Sequence, residues 1–244
     1  MIAIVAMGLS EAASNVIKAL DPAWTPPSHA ARIATAVAKL TVKSAANPEG
    51  VPLFHRDGLI FEVISWLVAT QQATPNTLIR PPHVNATTQG MDGLAIELSA
   101  SHRSLEKVTI FEDKCSKSPT RIFNREVIPS FLQHHSDGRI PELVSTATAL
   151  IKQAHLSPVD AVRVAEEVLN HDIRQYQAAL AISPTHDSEA RRKKIFNQYS
   201  KIKGITSSQR IAATFVVNSD VRLWFDQMAA KAVAYLKSLE EEHV

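Results

Sequence analysis

Four charged residues stand where the sequence otherwise asks for packing. Asp92 lies in Gly90-Met-Asp-Gly93, just before the largely apolar run Leu94-Ala-Ile-Glu-Leu98, and Glu112-Asp-Lys114 directly follows Val108-Thr-Ile-Phe111. Charge at the end of a buried strand is costly unless it is paired or holds a metal ion. Places where local rules break in this way mark candidate sites. Glu112 comes twenty positions after Asp92, a separation that a hairpin closes. Two carboxylates within side-chain reach repel unless a cation sits between them. Their oxygens suit a hard ion such as magnesium or manganese, which keeps several waters. Such an ion makes bound water more acidic and stabilises charge on a leaving oxygen. An ammonium beside it, here Lys114, can orient the water and share charge developing on a phosphate. The chemistry this set predicts is hydrolysis of a phosphodiester.

Positioning these groups falls to two strands joined by a polar bend over Ser99–Glu106. With the bend centred near Arg103, Asp92 faces Lys114 and Leu94 faces Glu112. Side chains alternate along a strand, so Asp92, Glu112 and Lys114 project from one face. Asp113 points from the other, toward solvent or a basic partner. A one-residue slip would exchange the acids.

Before the hairpin, periodicity predicts a helix from about Arg56 to Gln72, with Leu59, Ile60, Val63, Ile64, Leu67 and Val68 on one face and Glu62 beside it. Leu78–Val84 reads as a short edge strand, cut by Pro81-Pro82. Further upstream, Met1–Leu9 reads as a buried segment and Ser10–Leu20 as a helix stopped by Asp21-Pro22. Trp24-Thr-Pro-Pro27 is a rigid break, and Ser28 is the expected N-cap of a helix through Lys43. After the hairpin, Arg121–His134 reads as a helix that Pro129 kinks or divides. Residues 142–183 read as almost continuous helix, restarting at Ser157-Pro158. Arg210–Asn218 has the composition of a buried strand, and Asp220–Glu242 that of an amphipathic helix with Leu223, Phe225, Met228, Val233 and Leu236 inward. This order predicts an α/β fold, a small mixed sheet flanked by helices.

Composition narrows the function classes. The 244 residues are 45% hydrophobic and 20% charged, ordinary for a globular protein. A net charge of +2 gives no global basic field, so any nucleic-acid contact must be local. The single cysteine, Cys115, excludes an intramolecular disulfide and Cys-rich zinc sites, and fits a reducing cytoplasm. Met1–Leu9 is apolar but short and soon meets Glu11, so neither a signal peptide nor a membrane role is expected. No Gly-x4-Gly-Lys-Ser/Thr loop is present, so any ATP would be handled by a separate protein.

With these residues identified, the sequence resembles the PD-(D/E)xK nuclease superfamily, which includes many restriction enzymes and antiviral effectors. Asp92 in Gly-Met-Asp-Gly and Glu112-Asp113-Lys114 carry the resemblance, with Met91 in place of the nominal proline. It implies a restriction-endonuclease-like fold over roughly residues 55–135, with Arg210–Glu242 as the last strand and helix. The chain would then comprise a helical N-terminal extension over 1–50 and a nuclease-like domain over 51–244, with a helical insertion at about 139–205. The implied activity is magnesium- or manganese-dependent DNA cleavage. Asp92 and Glu112 would be metal ligands, the carbonyl of Asp113 a further ligand, Lys114 the catalytic amine, and Glu62 an auxiliary ligand or water-holder. More narrowly, the chain resembles the small nuclease subunits of antiviral systems such as Hachiman-type effectors, which work beside a helicase. DNA and a helicase or ATPase subunit are the partners this implies, with a homodimer as another assembly.

Each feature also has a plainer reading. Glu112 and Lys114 can simply pair with other charges at a strand end, and Glu62 can lie on a solvated helix face. Arg121 and Arg125 share one helix face and, with Lys117, can contact phosphates or be ordinary surface charges. The basic run Arg191-Arg-Lys-Lys194, with Lys201 and Lys203, can hold DNA or be a solvated face, while Phe196 and Tyr199 are expected to face the core. The rival function is a non-catalytic subunit that binds nucleic acid or docks to a larger machine.

Overall fold

Helices and a five-stranded sheet alternate along the chain, and the computed structural model describes residues 1–13, 29–83, 90–154 and 156–241. The expected helix at Ser10–Leu20, its stop, the break at Trp24 and the Ser28 cap lie wholly or partly outside these residues. The chain divides into two units, one of residues 1–71, 81–90 and 217–244, the other of 72–80 and 91–216.

In the first unit, α1 (Ile2–Ala6) is buried along its length, as an uninterrupted apolar run requires. Helix α2 (Ala30–Leu40) buries the stripe Ile33, Ala36 and Leu40. Helix α3 (Leu53–Gln72) turns Leu59, Ile60 and Val63 inward, but Val68 is 45% exposed and does not join that face. α3 belongs to the same unit as the N-terminal helices. Its buried Asp57 accepts hydrogen bonds from Arg56 Nε at 2.9 Å and from Arg222, and Arg56 Nη2 reaches Asp226 at 2.5 Å. A carboxylate buried that deeply persists only with such partners.

The second unit contains the sheet. Its strand β2 (Gly93–Leu98) runs antiparallel to both β1 (Thr77–Ile79) and β3 (Leu105–Cys115). Helix α4 (Pro119–Ile122), a π-helical turn at Phe123–Val127 and α5 (Ile128–His135) follow. Pro129 does not end the expected helix: helical backbone runs from Pro119 to His135, and the π-helical turn lies just before the proline. Next come α6 (Ile140–Ile151) and α7 (Pro158–Glu166), the latter capped by Ser157 Oγ accepting from the Asp160 N–H at 3.1 Å. Then follow β4 (Arg174–Ile182), α8 (Glu189–Phe196) and β5 (Arg210–Val216). Helix α9 (Val221–Glu241) returns the chain to the first unit, where Phe225 is buried but Leu223 is 50% exposed.

The strands form one mixed sheet in the order β1-β2-β3-β4-β5, parallel from β3 to β5. β4 corrects the expectation of continuous helix through 142–183. Ala178-Ala-Leu-Ala-Ile182 is alanine-rich, yet it is buried on both faces between two parallel neighbours. Such strands read as unbroken apolar runs, which periodicity cannot tell from buried helix. The stretch 139–205 therefore supplies a central strand as well as helices. β5 is a strand as expected but not a buried one, because it lies at the sheet edge and every residue is half-buried or exposed.

One sheet face carries Leu94, Ile96, Val108, Ile110, Tyr176 and Leu180 into a core completed by Phe123, Phe131, Leu143, Leu150 and Val164 from the helices. Glu112 and Lys114 continue that face of β3 to its C-terminal end. Among the described residues, no helix is long and apolar enough to cross a membrane.

Candidate active site

The hairpin pairs Gly93 with Phe111 and Leu94 with Ile110, with an irregularity at Glu97/Leu98. This register differs by two residues from the one expected, in which Leu94 faced Glu112. A two-residue shift leaves every side chain on its original face. Asp92, Glu112 and Lys114 therefore still converge, with Asp92 entering from just outside the strand.

Lys114 Nζ lies 2.6 Å from Asp92 Oδ2 and 3.0 Å from Glu112 Oε2. Asp92 Oδ2 also accepts the backbone N–H of Asp113 at 2.9 Å. Met91 fixes the approach of Asp92: it is fully buried, its N–H donates to Glu142 Oε1 at 2.8 Å, and its carbonyl accepts from Arg80 Nη1 at 2.6 Å. Ser130 Oγ on α5 donates to Glu112 Oε1. Each carboxylate is thus held by a neighbour as well as by the lysine.

Burial differs across the set. The side chain of Glu112 is 5% exposed, whereas those of Lys114 and Asp92 keep 21% and 20%, so the amine and one acid face the outside. Burial pushes the Glu112 carboxyl up to about 7; Lys114 and Ser130 oppose the rise and the Asp92 charge adds to it. Burial also disfavours the charge on Lys114, but Asp92 and Glu112 outweigh it and raise its pKa. The amine stays an ammonium, while the Glu112 carboxyl holds its proton more tightly than an exposed acid.

Asp113 is on the opposite face, as alternation requires, and at 8% exposed it does not face solvent, the first of the two settings expected for it. Glu62 belongs to the first unit, where its Oε1 accepts the backbone N–H of His83 at 2.8 Å and lies 2.9 Å from His83 Nδ1. Lys117, Arg121 and Arg125 are exposed on the segment that leaves β3. Ser130, Glu142 and Arg80 were not legible as site residues. Ser130, Glu142 and Arg80 contact the site's residues at separations of 18, 51 and 11 positions, and none belongs to a spaced motif.

Among the described residues, no three or more His, Cys, Asp and Glu gather to hold a metal ion. The donor set at this place is two carboxylates bridged by a cationic amine. Such a set fits magnesium, which takes one or two carboxylates and fills its other positions with water and phosphate oxygens. Asp92 and Glu112 are the residues that would hold it. No family model matches the chain, and no curated protein or solved structure matches it either.

Proposed function

We propose that this protein is a metal-dependent nuclease that hydrolyses phosphodiester bonds of DNA, with a restriction-endonuclease-like sheet as its scaffold. The single observation that carries the reading is the Lys114 ammonium held between Asp92 and Glu112 at the carboxyl end of β3. The carboxyl ends of parallel strands are where open α/β sheets place their ligands.

A divalent ion, when bound by Asp92 and Glu112, would supply Lewis acidity and a more acidic water. Ser130 and the Asp113 N–H keep the two carboxylates from rotating away, which is the preorganisation such a site needs. Lys114, part-exposed beside them, donates to a phosphate oxygen and shares its developing negative charge. Water adds to phosphorus in line with the leaving oxygen, the phosphorus bond to that oxygen breaks, and the oxygen departs with a proton. Supercoiled plasmid incubated with magnesium, with manganese or with a chelator tests this. Metal-only cleavage, lost in Glu112→Ala and in Lys114→Ala, is expected, and cleavage retained by clean preparations of both variants overturns the mechanism.

A second reading, a non-catalytic nucleic-acid-binding or interaction subunit, is favoured by one observation: Lys114 already satisfies both carboxylates without any ion. Binding without a metal-dependent product is its signature. A restriction or antiviral role beside a helicase or ATPase subunit rests on the family resemblance and on the lack of a nucleotide-binding loop in the sequence. Assaying the chain with and without such a subunit tests it.

A further inference from the structure

The positive charge of the chain is unevenly placed. Residues 117–126 and 187–196 together hold seven Lys and Arg against three Asp and Glu, a balance of +4, while the whole chain has 26 against 24. The remainder is therefore −2, from 19 against 21, and the net positive charge resides in these two segments.

The fold joins them. One segment follows the C-terminal end of β3 and the other that of its parallel neighbour β4, so both start from the sheet end that carries Lys114. They are packed together through Phe123, whose ring centroid lies 5.1 Å from that of Phe196 and 5.1 Å from that of Tyr199, in edge-to-face geometry. Within α8, Arg192 pairs with Asp187 at 2.8 Å and Lys193 with Glu189 at 2.7 Å. Arg191 instead donates to the neutral carbonyl of Thr185, so its charge is not cancelled there. Lys117, Arg121, Arg125, Arg191 and Lys194 are all exposed.

We infer that these five side chains form one track for the sugar–phosphate backbone of a nucleic-acid duplex, leading to the Asp92–Glu112–Lys114 cluster. This inference rests on the proposed nuclease reading for its choice of ligand. The aromatic side chains of the region argue for the backbone as the only thing read. Phe123 and Tyr199 are buried and Phe196 is half-buried against them, which leaves no platform for stacking unpaired bases. The same inward turn of Ile195 and Phe196 leaves no apolar wedge for a lipid surface. Recognition is electrostatic and indifferent to sequence.

The test is fluorescence anisotropy of a short labelled duplex in chelator, so that binding is read without cleavage, across about 50–200 mM salt. The whole chain is compared with Arg121→Ala/Arg125→Ala and with Arg191→Ala/Lys194→Ala, melting temperatures confirming that these exposed changes leave the fold intact. Each double variant is expected to bind about tenfold more weakly and to lower the log–log salt slope by about 2, the loss of two phosphate contacts. DNA and RNA duplexes run as separate arms tell which backbone is preferred. Unchanged affinity and slope in either double variant overturns the track, as does tighter binding of single strands or of anionic vesicles. Binding that behaves as expected without any metal-dependent cleavage keeps the track and removes the nuclease reading. Cleavage by a chain whose double variants bind as well as wild type does the reverse.

Discussion

Ser130 Oγ donates a hydrogen bond to Glu112 Oε1, tying α5 to the buried acid of the Asp92–Glu112–Lys114 cluster. The other oxygen of that carboxylate faces Lys114, so Ser130 fixes its second degree of freedom. Ser130→Ala leaves a buried acceptor unmatched, which costs about 1–2 kcal/mol of stability. It also removes a contact that holds the Glu112 pKa down. The acid limb of the cleavage profile is expected to move to higher pH, with a rate near neutrality reduced about tenfold. Ser130→Thr retains a hydroxyl and restores both. An unshifted limb in Ser130→Ala would show that the serine only packs.

Lys114 holds two carboxylates together, and its removal exposes what they need. In chelator, Lys114→Ala is expected to lose roughly 2 kcal/mol, less than the 3–5 kcal/mol of fully buried pairs because part of the side chain is solvated. Magnesium then replaces the missing cation and raises the melting temperature of the variant, while cleavage stays absent. A melting temperature of the variant that ignores magnesium means that Asp92 and Glu112 do not hold the ion.

The same contacts show what the sequence disclosed and why the rest was hidden. The cluster was legible because alternation is local: once Val108–Cys115 is a strand, Glu112 and Lys114 must share a face. The hairpin register differs from the expected one by two residues, an even number, so every side chain keeps its face and the chemistry is unaffected. β4 was hidden because alanine's helix propensity is a weak prior that burial between two strands overrides. Reading β4 as helix also hid the sheet position of Arg174, a fully buried residue whose Nη1 donates to Asp137 at 2.9 Å and to the His134 carbonyl at 3.1 Å. Ser130 lies eighteen residues past Glu112 with no signal of its own, and only the packing of α5 on the sheet reveals it.

His134 makes the fold sensitive to acid. Its side chain is buried and neither ring nitrogen has a hydrogen-bond partner. Burial, then the charges of Arg139 and Arg174 against a partial offset by Glu142, push its pKa down to about 4. An unfolded histidine titrates near 6.5, so below that pH the unfolded chain takes up a proton that the folded chain refuses. The stabilisation is complete above about pH 6.5, declines as pH falls, and is lost by about pH 4, in total about 3 kcal/mol. Urea unfolding between these limits measures it. His134→Leu should be flatter than wild type across the window, and parallel curves for the two proteins would rule the histidine out.

Tyr199 closes the parallel part of the sheet in an unusual way. Its hydroxyl accepts the N–H of Ala178 on β4 at 3.1 Å and lies 2.8 Å from the carbonyl of Tyr176 and 2.9 Å from that of Ile211 on β5. One side-chain oxygen thus stands where strand would bond to strand, and the ring behind it rests on Phe131 and Phe123. Burial raises the phenol's pKa, so the proton stays on the oxygen and remains available to a carbonyl. Tyr199→Phe keeps the aromatic packing but strands a buried N–H and removes the one donor that the two carbonyls share, a loss of about 1–3 kcal/mol. Because β5 is an edge strand, the effect should be local: amide exchange in β4 and β5 accelerates while the β2–β3 hairpin stays protected. Since Glu112 pairs with Ala178 across β3 and β4, the variant also tests whether the site depends on that bridge. An exchange pattern identical to wild type would mean that water fills the gap and that the hydroxyl is dispensable.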